Sequence, residues 1–350
     1  MAREPVKPGD DALAPTGRAG APVFVGRDRE LGDLSEGLEA ALVGSGRLFL
    51  LSGEPGIGKS RLADELGSLA RGRAARVVWG RCWEAGGAPA YWPWVQSIRA
   101  LIRGGDPEAL RRDLAAGAGD VAQIVPEVRD LLGGVEEPPS LDPESSRFRL
   151  FDAVARFLVA AAEPNGLVLV LDDLHAADAP SLLLLRFLAG EIAESRLLVL
   201  GCYRDADLER HGPLSAAVVE LTRASVTRRL DLRGLGRAAV AEFIRRTTGT
   251  DPPDRLVVGV HEETEGNPLF LVEMVRLLEH EGGMGADGGR SFPIPEEIRE
   301  VIGRRLAHLP TDTSELLSVA AVLGREFDIE TLGVLAGSPA SDVVALLEDA

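Results

Sequence analysis

Lysine is almost missing from this chain: of 38 basic residues only Lys7 and Lys59 are lysines, and all the others are arginines. Arginine is a planar fork and lysine a compact charge on a pliable stem, so the lone interior ammonium marks a place where a fork does not serve. Cysteine is scarce as well. Cys82 and Cys202 show no C-x-x-C spacing, which argues against a zinc site or a disulfide framework and leaves buried free thiols. Long apolar runs are also absent, since stretches such as Leu182 to Leu185 fall far short of the ~18 residues a bilayer span needs. The first 22 residues, MAREPVKPGDDALAPTGRAGAP, contain no apolar core of a secretory signal and read as a disordered leader. The expected location is the cytoplasm, with no membrane partner. Positive charge is in deficit: a net charge of −17 makes the body a poor general partner for nucleic acid. Clusters such as Arg71/Arg73/Arg76 and Arg304/Arg305 are solvated faces or local contacts.

What is present fits a globular chain. The 350 residues, 45% hydrophobic and 27% charged, have room for roughly two or three domains, and no repeat of fixed period appears. Lys59 closes the segment GEPGIGKS, Gly53 to Ser60, which follows the apolar run Leu48 to Leu51 and precedes the helical pattern RLADELGSLAR. Strand, glycine-rich turn and helix in that order make a P-loop: backbone amides curl round a phosphate, the helix start adds its positive dipole end, and Lys59 reaches the β- and γ-phosphates. Ser60 would hold Mg²⁺. The rival reading is an ordinary glycine-rich turn.

Upstream, Leu31, Leu34, Leu38, Ala41 and Leu42 recur at helical spacing, and Val25-Gly26-Arg27 stands where an entering chain can line an adenine pocket. Val77 to Gly80 reads as a second strand. Tyr91, Trp92 and Trp94 then open a helical insert over about 85–146, and this aromatic cluster is either core packing or a partner surface. A helical stripe from Phe148 to Leu158 leads to Leu167 to Leu171, a continuous apolar run expected of a parallel strand buried on both faces. It ends in Asp172-Asp173. Acids at that carboxyl end face the P-loop, Asp172 toward Mg²⁺ and Asp173 toward the attacking water. Asp178 precedes Ala179-Pro180 and a helix, so capping is its default role and catalysis the alternative. His175 reads as a packing residue. The strand Leu197 to Gly201 carries Arg204 to the same edge, where it meets the γ-phosphate or forms a surface ion pair.

From Asp231 the pattern turns helical, with a further helix starting at Pro268 in EGNPLF, a glycine-rich break at Gly282 to Gly289, and short helical segments up to Ala350. No cap follows the last of these, so the chain looks cut within a domain.

FVGRDREL, GEPGIGKS, GRCWEAGGAPAYWPWVQ, LVLVLDDLHAADAPSLLLLRFLA, the strand ending CYRD, and EGNPLFLVE together resemble the STAND branch of AAA+-related P-loop ATPases. The similarity is to the ATP-binding modules of large LuxR-type bacterial regulators and to modules attached to adenylate cyclases, and it spans about Phe24 to Ala350. It implies an α/β fold: a P-loop NTPase (AAA+-like) parallel sheet sandwiched by helices over 23–230, a helical lid over 231–289, and a partial winged-helix domain over 290–350. It further implies that Gly53, Glu54, Pro55, Gly56, Ile57, Gly58, Lys59 and Ser60, with Arg61 next to them, bind the phosphates of ATP or ADP. Asp172 and Asp173 would form Walker B, with Ser60 and Asp172 as Mg²⁺ ligands. Lys59, Asp173 and Arg204, the last as sensor, would act in catalysis. Val25, Gly26, Arg27 and Pro268 would lie against the adenine. Two departures stand out: many relatives carry Trp where His175-Ala176 stands, and no helix-turn-helix, cyclase or TPR-like module is seen.

The expected function is a slow Mg-dependent ATPase switch in signal transduction, the regulatory part of a larger transcription regulator, which self-associates in its ATP state. An unknown inducer would act on it, and DNA would be met only through a domain outside this chain. The alternatives are a nucleotide-holding module without turnover, the regulatory module of an adenylate cyclase, or an enzyme transferring phosphate to a small molecule held in the insert.

Overall fold

Unbroken leucine and valine runs demand burial on both faces, and they form the centre of a sheet. The computed structural model describes residues 23–83, 87–114, 117–133, 135, 141–205, 208, 212–280, 309–323 and 328–348. Five strands, β1 (Arg47–Ser52), β2 (Arg76–Arg81), β3 (Leu167–Asp172), β4 (Leu197–Cys202) and β5 (Thr227–Asp231), lie in the order β2-β3-β4-β1-β5. Every neighbouring pair is parallel. β3 and β4 are buried from end to end. β5 is absent from the strands expected from sequence, because TRRLD is an edge strand in which Leu230 alone is buried.

Successive strand residues point to opposite faces. Leu48 and Leu50 therefore join Leu169 and Val199 under α3 (Trp92–Gly104), α7 (Pro143–Ala161), α8 (Ala179–Glu191) and α9 (Pro213–Leu221). Phe49 and Leu51 join Val168 and Leu200 under α1 (Asp28–Leu42) and α2 (Lys59–Gly72). The result is a three-layer α/β sandwich with all strand carboxyl ends on one edge. Three short helices, α4 (Pro107–Leu114), α5 (Ala118–Val121) and α6 (Glu127–Leu132), fill the crossover between α3 and α7.

The aromatic cluster belongs to this packing. Trp94 is fully buried and donates its indole N–H to the Ser181 carbonyl at 3.2 Å, and Tyr91 meets Phe151 edge-on at 6.2 Å. Two helix starts follow their sequence signals: Asp142 accepts from the amides of Glu144 and Ser145 ahead of α7, and Asp178 accepts from the Ser181 amide ahead of α8.

After β5 the periodicity changes, and α10 (Arg237–Thr248), α11 (Asp254–Thr264) and α12 (Pro268–His280) close round a core of their own, including Leu235, Ile244, Val260, Leu271 and Val275. Three later helices, Thr311–Leu323, Ile329–Ala336 and Ala340–Glu348, gather on Leu316, Ala320, Leu332 and Val343. No strand of a wing occurs among the described residues there. The leader, the break at Gly282 to Gly289 and residues 290–308 lie outside the described residues. Among those described, no helix is long and apolar enough to cross a membrane.

Candidate functional site

β1 ends at Ser52 on the sheet's carboxyl edge, and the next turn must reverse into α2 within six residues. Gly56 (φ 80°) and Gly58 (φ 98°) supply the left-handed conformations this requires, Gly58 standing at the start of α2. What fixes the loop is the fate of its carbonyls. Lys59 Nζ donates to the Gly53 and Glu54 carbonyls at 2.7 and 2.9 Å. The Pro55 carbonyl accepts from Asn267 Nδ2 at 3.0 Å, that of Gly56 from the Leu269 amide at 3.3 Å, and that of Ile57 from Arg27 Nη2 at 3.1 Å. Five successive carbonyls thus have donors. Because a trans peptide sets N–H opposite C=O, the amides of Gly56 and Gly58 face away from Asn267 and Arg27.

Beside the loop, the Ser60 hydroxyl donates to Asp172 Oδ2 at 2.9 Å. Asp172 is 2% exposed, and its carboxylate also accepts from Arg81 Nη2 at 3.1 Å and from the Asp173 amide at 3.1 Å. Asp173 sits in the left-handed region, φ 57°, with Arg81 Nε 3.9 Å away. Arg81 is in register with Asp172 on the neighbouring strand. Sequence alone could not show this, since it does not say which strands are neighbours. Burial pushes the Lys59 ammonium below its ordinary value; the positive charge of Arg204 acts in the same direction, and the carboxylates of Asp173 and Asp205 oppose it. Cys202 and Cys82 are buried thiols, Cys82 pushed up to about 12 by desolvation.

A cavity of about 400 Å³ joins these groups. Its polar end is lined by Lys59, Ser60, Asp173 and Arg204, and its apolar end by Phe24, Val25, Leu235, Phe243, Pro268 and Val272. Of the residues singled out in the sequence, Val25, Arg27, Pro55, Gly56, Ile57, Gly58, Lys59, Ser60, Arg61, Asp173, Arg204 and Pro268 line it. Gly26, Gly53, Glu54 and Asp172 are not among its lining residues. Gly26 (φ 68°) lies against α10, where a Cβ would collide with Ala239. Arg27 is buried and, besides Ile57, bonds the Arg233 carbonyl and Glu30. Arg61 pairs with Glu65 at 2.5 Å and lies over the Phe24 ring at 5.5 Å. Sequence reasoning missed Asn267, Leu269, Phe24 and Phe243. The first two had a signal in their adjacency to Pro268; the two phenylalanines had none. A slightly larger cavity, about 480 Å³, lies between Phe148, Phe187 and Leu221 on the α7–α8–α9 face, away from the glycine-rich loop.

The fit to a metal and a phosphate can be judged from the donors. Ser60 and Asp172 offer hard oxygens, and no cluster of three or more His, Cys, Asp or Glu able to cage an ion occurs among the described residues. That matches magnesium, which takes one or two protein oxygens and completes its shell with water and phosphate. Loop amides beside an ammonium match a phosphate.

A family model for the AAA ATPase domain matches residues 23–200, just over half of the chain. The sequence is 29% identical over 196 residues to an uncharacterized protein of Rhizobium meliloti (strain 1021), covering 53% of this chain and 18% of that protein. The chain thus spans less than a fifth of that relative's length. Among solved structures, the fold is similar to a Signal Transduction ATPase with Numerous Domains (STAND) protein with a tetratricopeptide repeat sensor from Pyrococcus horikoshii (16% identity, TM-score 0.45, 93% of this chain and 39% of that one). It is also similar to AMPPCP-bound DnaA from Aquifex aeolicus (13%, 0.44, 93% and 87%) and to a Thermotoga maritima RuvB variant (16%, 0.42, 93% and 87%).

Proposed function

Because the chain belongs to the AAA ATPase domain family, we propose that it is a nucleotide switch: it binds ATP or ADP in the cavity between sheet edge and helical module, hydrolyses ATP slowly, and serves as the regulatory part of a larger signalling protein. The observation that carries this reading is the single cavity in which a glycine-rich loop, Lys59, Ser60, Asp173 and Arg204 meet an apolar slot. Val25, Phe24 and Pro268 hold the base in that slot, and Arg27 supports it from behind. The amides of Gly56 and Gly58 receive phosphate oxygens, and Lys59 leaves the Gly53 and Glu54 carbonyls for the β- and γ-phosphates. Ser60 and Asp172 would hold a magnesium ion, which would supply positive charge to offset that of the phosphates. Asp173 orients the attacking water and Arg204 contacts the γ-phosphate. Contacts made only with the triphosphate bias the position of the helical module, as any ligand-driven change requires. Residues 231–289 act as a lid, residues 290–350 as a further domain closing the ADP form, and the ATP form self-associates. The output is transcriptional, or cyclase control in a relative arrangement.

One observation favours a second reading, a module that holds nucleotide without turning it over: Arg81 lies between the two acids, 3.1 Å from Asp172 and 3.9 Å from Asp173. Single-turnover hydrolysis and ATP binding by wild type, Lys59→Ala and Asp173→Asn decide between the two. The switch predicts lost affinity for the first variant and retained affinity with at least tenfold slower hydrolysis for the second, given the usual contribution of a positioned acid or base. Equal hydrolysis by wild type and Asp173→Asn would leave the holding module, and unchanged ATP binding by Lys59→Ala would remove the site itself.

A further inference from the structure

The phosphate loop is held from within by Lys59 and by one turn bond, from the Ile57 amide to the Glu54 carbonyl at 3.3 Å, and otherwise from outside. Of its five bonded carbonyls, two are satisfied by Lys59 and three by residues outside the loop, namely Asn267, Leu269 and Arg27. Asn267 is 4% exposed, and its amide is used at both ends: Nδ2 donates to the Pro55 carbonyl at 3.0 Å, and Oδ1 accepts from the Leu269 amide at 3.1 Å. Since one neighbour only accepts and the other only donates, the orientation of this side chain is determined. Contact is close enough that a Cβ at Gly56 would stand 2.7 Å from Leu269 Cβ and 2.9 Å from Asn267 Oδ1. Gly56 is therefore a glycine for the sake of α12 as much as for a phosphate. The turn before α12 is also tied to the segment between β5 and α10, the Leu235 amide donating to the Gly266 carbonyl at 2.7 Å.

We propose that Asn267 is a positioning residue that clamps the loop from the start of α12, so that undocking of the α10–α12 module and loss of the phosphate-binding loop conformation are one event. The consequence for nucleotide release rests on the nucleotide reading above; the clamp itself does not. Breaking the Pro55 and Gly56 carbonyl contacts in one movement would turn their peptide groups out of register and withdraw the amide of Gly56. A signal that lifts α12 would then expel nucleotide without touching it.

Asn267→Asp tests this. At pH 8 the carboxylate keeps its bond from the Leu269 amide but faces the Pro55 carbonyl with an acceptor. Once protonated it donates there again, and burial raises the pH at which this happens above the ordinary value of about 4. Hydrogen exchange of the Gly56, Ile57 and Gly58 amides, measured without nucleotide, is expected to be at least tenfold faster in the variant than in wild type at pH 8. This ratio should fall toward one as the pH is lowered toward about 5. Asn267→Ser caps α12 but is too short to reach Pro55, so it should show the faster exchange with no pH-dependent recovery. Affinity for a fluorescent ATP analogue should fall about tenfold in Asn267→Asp at pH 8, the scale of one buried hydrogen bond. Exchange equal to wild type at pH 8, or a ratio insensitive to pH in Asn267→Asp, would overturn the clamp. Wild type that binds no ATP would sink the nucleotide reading, while the exchange ratio still decides the clamp.

Discussion

Lys59 is held by two carbonyls in a site that disfavours its charge. Its folded value is depressed, so the unfolded chain binds this proton more tightly than the fold. Stability then rises with pH between the folded value and the ordinary one near ~10. Against Lys59→Met, which has no such proton, the wild type should gain melting temperature as the pH climbs toward ~10, and thermal melts of both proteins at a series of pH values check the slope. A difference that shrinks or stays flat would mean the ammonium is not strained by burial. Such individual residues were partly legible. The P-loop spacing, Asp172, Asp173 and Arg204 stand out because their chemistry is tied to strand ends that hydrophobic runs reveal. Asn267, Arg81 and Phe24 do not, because each matters through a neighbour on a different element.

At the scale of elements, legibility follows burial. β1, β3 and β4 are continuous apolar runs because helices cover both their faces, whereas β5 has one covered face and two exposed arginines and so carries no run. Crossover helices can be foreseen from their starts. The N-cap of α8 joins two elements, since Asp178 accepts from the Ser181 amide at 2.8 Å and also from the Tyr91 amide at the head of α3 at 3.2 Å. Asp178→Ala should therefore cost about 1–2 kcal/mol, the upper part of the range for a lost cap, and urea denaturation measures it. A loss near zero would show that the bond to Tyr91 is idle. The sequence left open whether Tyr91, Trp92 and Trp94 face a partner; buried Trp94, bonded to the Ser181 carbonyl, and half-buried Tyr91, edge-on to Phe151, pack the head of α3 against α8 and α7.

On the scale of the whole molecule, two separately cored bodies meet at one cavity: the sheet sandwich and the α10–α12 module. Sequence periodicity separates these bodies at Asp231 but says nothing of how they touch, because the contacts run through backbone carbonyls. A ligand that fills the cavity binds only the folded form, so ATP with magnesium at about 100 times its Kd should stabilise the protein by about 2.7 kcal/mol. Differential scanning fluorimetry would register this as a raised melting temperature. Chelation with EDTA should remove part of the gain, and Asp172→Asn should make the remainder insensitive to EDTA. The near absence of lysine has a practical corollary. Lys59 is the one lysine among the described residues, so an acylating reagent has a single lysine target there, 9% exposed and lining the cavity. Mass spectrometry of a single peptide would then follow the opening of this protein in a crowded mixture, with no engineered probe.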